Sequence, residues 1–390
     1  MTRQSRQRKK LQSEAASRMT PRKRKKSKVN PTTHFILTVC QVGAETALKK
    51  EMLRDYPQFR FAFSRPGFVT FKNIAGTVPL DLTLHTVFAQ AYGASFGMLK
   101  STDVSEISKV IELATQLKNA YPEKKLRLHA WQRRFYLPGD EPPGFKDNEL
   151  LGGIEKKIRE ASNALFEVDP LSQIGDIVLQ VVAVDPDQFA LGAFMHSNSH
   201  SPWPGGKSKI SFPQEAPSRA YLKLEEALLW SKAPLKPGDV AVEIGSAPGG
   251  ASYALLKRGL KVVGIDPRPM EPIVVRNPQF THIRKPVAQV LREELPHSVQ
   301  WLLLDMNVAP NIALYSVDRL ASRMKDSLVG AILTVKFTDW RFANEIPSMI
   351  DHVRSMGFSR VKAVQLSQHR QEILIYGLSR RGTTFGKVTR

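Results

Sequence analysis

Four charged residues stand where their types could do chemistry: Lys223 in Ser218-Arg-Ala-Tyr-Leu-Lys223, Asp305 closing Trp301-Leu-Leu-Leu-Asp305, Lys336 closing Ile332-Leu-Thr-Val-Lys336, and Glu372 opening Glu372-Ile-Leu-Ile-Tyr-Gly377. A lysine that ends an apolar strand is costly to bury unless a carboxylate pairs with it. Asp305 and Glu372 are the candidates to pair with Lys336. Two lysines and two acids in one pocket shift one another's pKa values, which is one way an amine becomes a usable base near neutral pH. A structural ion-pair network would use the same residue types.

A second constellation precedes these. Val240-Ala-Val-Glu-Ile leads into Gly245-Ser-Ala-Pro-Gly249-Gly250, and Asp266 closes the next β-branched run, Val262-Val-Gly-Ile. An apolar run, a glycine-rich turn and a helix over 251–257 read as the first βα unit of a doubly wound sheet. An acid at the end of the second strand can accept both hydroxyls of a ribose. A dinucleotide would ask for Gly-x-Gly-x-x-Gly and the amides that cradle a pyrophosphate. Here Pro248 removes one amide and the middle glycine is missing. A phosphate-free nucleoside cofactor, S-adenosylmethionine, fits Gly245, Ser246, Ala247, Pro248, Gly249, Gly250, Asp266 and Asp305 better than a nicotinamide dinucleotide does. A turn with no ligand is the plainer alternative.

The elements that position these groups follow the βα pattern. A helix is expected over 218–229 with Ser218 as N-cap and Leu222, Glu226 and Leu229 along one side, then strands at 240–244, 262–266, 301–305 and 330–336. Helices over 316–325 and around 346–356 and strands at 360–364 and 372–377 complete a mostly parallel sheet. Upstream, a strand at 34–40, a helix over 44–53 and strands at 59–63 and 67–72 give the split βαβ start of a ferredoxin-like unit. A helix over 105–120, a strand over 125–131, a helix over 148–166 and a hairpin around Asp185-Pro-Asp187 follow. Lys124, Lys125, Arg127, Arg133 and Arg134, interleaved with Trp131, Phe135 and Tyr136, have the mixture of charge and flat rings that RNA-binding surfaces use, or form a half-buried strand with solvated charges.

The division expected is a basic disordered tail at 1–32, a ferredoxin-like subdomain at 33–100, an RNA-binding domain at 101–195, a linker at 196–217, an α/β Rossmann-like domain at 218–380 and a basic C-terminal tail at 381–390. Residues 1–28 hold twelve Lys and Arg against one acid, Glu14, for a charge of +11, and the whole chain carries +21. That excess points to an anionic partner, nucleic acid ahead of membrane. One cysteine, Cys40, excludes an internal disulfide and a cysteine zinc cluster and suits the cytoplasm, as does the lack of a cleavable or membrane-spanning segment. His196 and His200, with no cysteine or carboxylate near them, make a poor metal site, and none is expected.

Ser218-Arg-Ala-Tyr-Leu-Lys223-Leu-Glu-Glu, Glu243-Ile-Gly-Ser-Ala-Pro-Gly-Gly250, Asp266-Pro-Arg-Pro-Met270, Leu304-Asp305-Met306, Val335-Lys336-Phe337 and Arg370-Gln-Glu372 resemble, in order, the motifs of the FtsJ (RrmJ-like) ribose 2′-O-methyltransferases. Phe212-Pro-x-x-Ala216-Pro-Ser-Arg219 resembles the entry of the RlmM type, and Val39-Cys-Gln-Val-Gly-Ala-Glu45 is loosely similar to the opening of its N-terminal region. The resemblance implies a ferredoxin-like and THUMP-like region before the catalytic domain, and methyl transfer from S-adenosylmethionine to a ribose 2′-hydroxyl of ribosomal RNA, at a large-subunit cytidine. It implies Lys336 as the residue that takes or steers the hydroxyl proton, with Asp305 and Glu372 holding its ammonium and Lys223 completing the network. Two positions depart from the pattern: Ala251 replaces a tryptophan after the turn, and Pro286 stands where an acid near the adenine is expected. An RNA-binding protein with a decayed methyltransferase domain is therefore one rival; a nicotinamide-dependent oxidoreductase and a methyltransferase acting on DNA or a small molecule are others.

Overall fold

The computed structural model describes residues 31–388, so the basic segment 1–28 lies outside the described residues. Two seven-stranded sheets carry the chain. In the first, β1 (Phe35–Val39), β2 (Phe59–Arg65), β3 (Phe68–Asn73), β4 (Ala91–Leu99), β5 (Leu126–Gln132), β6 (Ile177–Asp185) and β7 (Gln188–Met195) are ordered β2-β3-β1-β4-β7-β6-β5. Only β5 and β6 are parallel. Helices α1 (Glu45–Asp55), α2 (Val104–Ala120) and α3 (Ile154–Ala161) accompany it. In α2 the buried positions Ile107, Val110, Leu113, Ala114 and Leu117 recur at the three- and four-residue spacing of one helical face. β6 is buried from Ile177 to Val184, as its β-branched run requires of a strand covered on both faces.

β4 was not expected from the sequence, and it joins the two halves that were expected to be separate. It pairs with β1 on one side and β7 on the other, so no boundary near residue 100 interrupts the sheet. Its glycines explain both the missed strand and the close packing. A Cβ on Gly93 would lie 2.6 Å from the Gln180 amide and 2.9 Å from the Ala193 carbonyl oxygen.

The second sheet comprises β8 (Val240–Ile244), β9 (Lys261–Ile265), β10 (Phe280–Ile283), β11 (Trp301–Asp305), β12 (Gly330–Lys336), β13 (Phe358–Val364) and β14 (Glu372–Ser379), ordered β10-β9-β8-β11-β12-β14-β13. Six strands run in one direction, five of them as adjacent parallel neighbours, and β14 runs antiparallel to β12 and to β13. Helices α4 (Ala220–Ser231), α5 (Gly250–Leu256), α6 (Pro272–Val275), α7 (Pro310–Met324), α8 (Ile346–Ser355) and α9 (Arg380–Val388) belong to this half. The order reverses between β8 and β11, and a crevice at the carboxyl ends of the strands is where open α/β sheets bind ligands.

Several local expectations need correction. Ser218 does not cap α4: Arg219 holds the N-cap position, and Ser218 Oγ accepts a long bond from the Ala220 amide at 3.4 Å. The buried face of α4 is Tyr221, Leu224, Glu226 and Ala227, while Leu229 is 55% exposed. Residues 380–388, placed largely in a tail, form α9. Residues 148–166 form a 3-10 turn (Glu149–Leu151) and the short α3 instead of one helix, because Gly152 and Gly153 both take left-handed backbone.

Of the two readings of the stretch from Lys124 to Tyr136, Arg127, Trp131 and Arg133 follow the half-buried strand, while Lys125 and Tyr136 are exposed. The Arg127 side chain is 4% exposed and pairs with Asp176 at 2.6 Å. Arg133, also buried, donates to the Val184 carbonyl, to Pro66 O at 2.9 Å and to Asp185 at 3.1 Å. Trp131 is buried against Gly205 of the connecting segment. These three side chains pack at the sheet edge and do not face solvent. His196 and His200 are likewise engaged in packing: His196 Nδ1 bonds Ser172 Oγ at 2.7 Å, and His200 stacks on Phe194 with ring centroids 4.3 Å apart.

Candidate active site

Lys223, Asp305, Lys336 and Glu372 converge although they come from α4, β11, β12 and β14. Parallel pairing puts the ends of β11 and β12 side by side, and the antiparallel register sets Lys336 directly opposite Glu372. Lys223 Nζ lies 3.3 Å from Asp305 Oδ2 and 3.0 Å from the Glu372 carboxylate. Lys336 Nζ lies 3.2 Å from Asp305 Oδ1. Asp305 is thus the centre of the network and touches both ammonium groups. Glu372 pairs with Lys223 and not, as expected, with Lys336.

Burial differs along this chain of charges. The Glu372 side chain is 6% exposed and that of Lys336 25%, so Lys336 is the member open to an incoming group. Burial works against a charged Lys223, but Asp305 and Glu372 outweigh it and hold its pKa above the usual lysine value. Lys223 is therefore a fixed cation, not an amine tuned toward neutrality, which corrects that expectation for this lysine. Asp305 Oδ1 is buried and receives no well-aligned hydrogen bond beyond the ion pair with Lys336.

The turn at 245–250 sits beside this network. Gly245 takes φ +80°, and a Cβ there would lie 2.6 Å from the Asp305 carbonyl oxygen, so the β8 turn and the end of β11 touch backbone to backbone. Gly249 takes φ +117°, with Val274 and Met270 filling the space a side chain would need. Ala247 and Pro248 are joined by a cis peptide bond. Gly250 opens α5 hard against Ser218, which ties the start of α4 to the turn.

Asp266 is 4% exposed and satisfied within its own turn. Its carboxylate accepts from Ala247 N at 3.1 Å, from Arg268 N at 2.9 Å and from the Arg268 guanidinium at 3.1 and 3.2 Å. Burial alone would raise its pKa; the donors of Arg268 and Ala247 more than reverse this and hold it below the usual value. A ribose would have to share or displace Arg268, whose side chain is 68% exposed. Glu243, buried on β8, is the group the sequence did not single out. Burial pushes its pKa up to about 8 against the bond donated by Ser252 Oγ, with Asp305 and Asp266 adding to the rise. With Glu243 held protonated near neutral pH, Asp266 paired with Arg268, and Asp305 with Lys223 and Lys336, the charges beside the turn are balanced. Residues 245–250, Asp266 and Asp305 would hold the expected nucleoside cofactor. Pro286 is exposed at the entry to a 3-10 turn, Val287–Gln289, and nearby Lys285 and Glu294 pair with each other at 2.6 Å.

A family model described as FtsJ-like methyltransferase matches residues 216–376, the segment that holds all four charged residues and the turn. The ribosomal RNA large subunit methyltransferase M of Halorhodospira halophila is 34% identical over 347 residues, covering 86% of this chain and 94% of that protein. The chain belongs to the ribosomal RNA large subunit methyltransferase M family. The proteins of the same name from Laribacter hongkongensis and Pectobacterium atrosepticum are 31% and 30% identical, over 60% and 70% of this chain and 69% and 76% of their own lengths. The second sheet is accordingly the Rossmann-like methyltransferase sheet, and the expected fold class holds. Among the described residues no helix is long and apolar enough to cross a membrane, and no group of three His, Cys, Asp or Glu could hold a metal ion.

Proposed function

We propose that this chain transfers the methyl group of S-adenosylmethionine to a ribose 2′-hydroxyl of 23S ribosomal RNA, at a cytidine. The observation that carries the reading is the Lys336–Asp305–Lys223–Glu372 network beside the 245–250 turn. A ribose hydroxyl is a poor nucleophile at neutral pH and needs a positioned partner for its proton. Lys336 is the exposed end of the network, fixed by Asp305; as an ammonium it orients the oxygen lone pair, and once it has released its own proton to solvent its free amine takes the hydroxyl proton. Lys223, kept charged by two carboxylates, holds Asp305 in place and neutralises Glu372. When bound, S-adenosylmethionine supplies an electrophilic methyl on a good leaving group. The substrate is ribosomal RNA, naked or in an assembling large subunit, in the cytoplasm; the 2′-hydroxyl is what separates RNA from DNA at such a site.

The joined tetrad favours an active enzyme over a decayed domain, and Pro248, with no glycine two residues after Gly245, disfavours a nicotinamide dinucleotide. Methyl transfer from labelled S-adenosylmethionine to 23S rRNA lacking the modification tests the reading. Wild type should label the RNA at one ribose that then resists alkaline cleavage. Lys336→Ala should lose at least about a hundredfold in turnover while cofactor binding survives. Retained turnover in this variant would remove Lys336 from the chemistry; an inactive wild type that still binds RNA would favour the decayed domain.

A further inference from the structure

One short segment of the first half of the chain, residues 87–90, holds the start of the loop that leads into Glu372 and packs, through Trp340, toward the end of the strand that carries Lys336. The Val87 carbonyl accepts from Gln365 N at 2.7 Å, and Gln90 Nε2 donates to the Leu366 carbonyl at 3.2 Å. Phe88 meets the Trp340 ring edge-on at 6.2 Å, and Trp340 in turn meets Phe337, the neighbour of Lys336, at 6.1 Å. The segment is itself anchored. Val87 N and Phe88 N donate to the buried Glu51 carboxylate of α1 at 2.6 and 3.2 Å.

Gln365 links this anchor to the site. It has no exposed surface, and it starts the loop from β13 to β14 whose last residues lead into Glu372. Its Nε2 donates across the base of that loop, to Arg370 O at 2.9 Å and Glu372 O at 3.3 Å, while its Oε1 has no hydrogen-bond partner. The amide is therefore used for its donors, and both acceptors are backbone carbonyls at or beside the residue that pairs with Lys223. Phe337 N donates to Gln371 O at 2.8 Å, which ties the loop to the end of β12 as well.

We propose that Gln365 is a positioning residue for the methyl transfer argued above, and that residues 87–90 act through it to set Glu372, and through Glu372 the Lys223 ammonium and Asp305. The first half of the chain is then part of the catalytic apparatus as well as a neighbour of it. Catalytic geometry is sensitive to displacements near 1 Å, and a loop whose base is unlatched gives Glu372 that freedom.

The test uses the full chain with Gln365→Met, which keeps length and apolar bulk but has no donor, and Gln90→Met, which lies in the other half and outside the tetrad. Turnover on rRNA should fall about ten- to a hundredfold in the first and several-fold in the second. KM for RNA and cofactor affinity by calorimetry should stay within about twofold. A readout independent of turnover is the acetylation rate of Lys223 by acetic anhydride, followed by mass spectrometry of the peptide. It should rise about tenfold in Gln365→Met as Glu372 loosens. Unchanged turnover and unchanged Lys223 labelling would overturn the proposal, and so would a parallel fall in turnover, RNA affinity, cofactor affinity and melting temperature. A wild type with no methyl transfer defeats the functional reading alone, because Lys223 labelling still decides the role of Gln365.

Discussion

Glu243→Gln isolates what an acid buried beneath the cofactor turn does to the protein. Glu243 is 2% exposed, and its carboxyl is pushed from an ordinary value of 4.5 to about 8. Between those values the unfolded chain has lost the proton and the folded chain keeps it, so the folded state binds more protons and stability falls as pH rises. The full loss is reached above about pH 8. The interval corresponds to on the order of 4–5 kcal/mol, and about 2 kcal/mol of it has accrued at pH 6. Glutamine has nearly the same shape, can still accept from Ser252 Oγ and has no proton to lose. Wild type and Glu243→Gln should therefore unfold at similar urea concentrations near pH 4.5, and the variant should be the more stable by a few kcal/mol at pH 9. Urea titrations at pH 4.5, 6 and 9 read this directly. Midpoints that run parallel across the range would refute the reasoning, since they would mean that Glu243 is ionised in the folded protein at neutral pH.

Other outcomes follow from the same contacts. Arg268→Ala frees the Asp266 carboxylate from an exposed partner worth about 0.5–1 kcal/mol, so cofactor affinity by calorimetry should improve about two- to fivefold; weaker binding would mean that Arg268 itself contacts the cofactor. Arg127→Met leaves Asp176 unpaired in the interior and should cost about 3–5 kcal/mol of stability, with RNA affinity of the folded protein little changed. Lost RNA affinity at unchanged stability would return Arg127 to the binding surface. Removing residues 1–28, which carry +11, should flatten the dependence of RNA affinity on salt, and an identical slope would exclude phosphate contacts by that segment.

The charged network was legible because Asp305, Lys336 and Glu372 each end or begin a strand with a sharp apolar-to-charged transition, as in Ile332-Leu-Thr-Val-Lys336, while Lys223 lies on a helix and was found only through the motif around it. Who pairs with whom was not. Glu372 and Lys223 are 149 residues apart, and only the position of α4 over the sheet decides that Lys223, and not the cross-strand neighbour Lys336, neutralises Glu372. Arg127, Arg133 and Trp131 left two readings open for a related reason. Charge and rings in alternation describe an RNA-binding strand and a buried sheet edge equally well, and the acid that settles the matter, Asp176, lies 49 residues downstream of Arg127. β4 stayed hidden because Gly93 and Gly97 interrupt its apolar alternation, although Gly93 is what lets the strand pack so closely. The Asp266–Arg268 bond was readable only in part: the residues are two apart, but the guanidinium folds back on the carboxylate where both also bond the backbone of Ala247, 19 residues upstream of Asp266.

β4 also fixes a timetable for synthesis. One of its flanks, β1, has left the ribosome long before it, but the strand that covers the other flank, β7, begins 89 residues after Leu99, at Gln188. At ordinary elongation rates that interval lasts roughly 4–18 s. For that time the nascent chain carries a nine-residue strand with unpaired amides and carbonyls along one side, the kind of edge that recruits other strands. Protection of this edge is a task for the emerging chain's surroundings until residue 195 is made, because only the hairpin of β6 and β7 brings the strand that covers it.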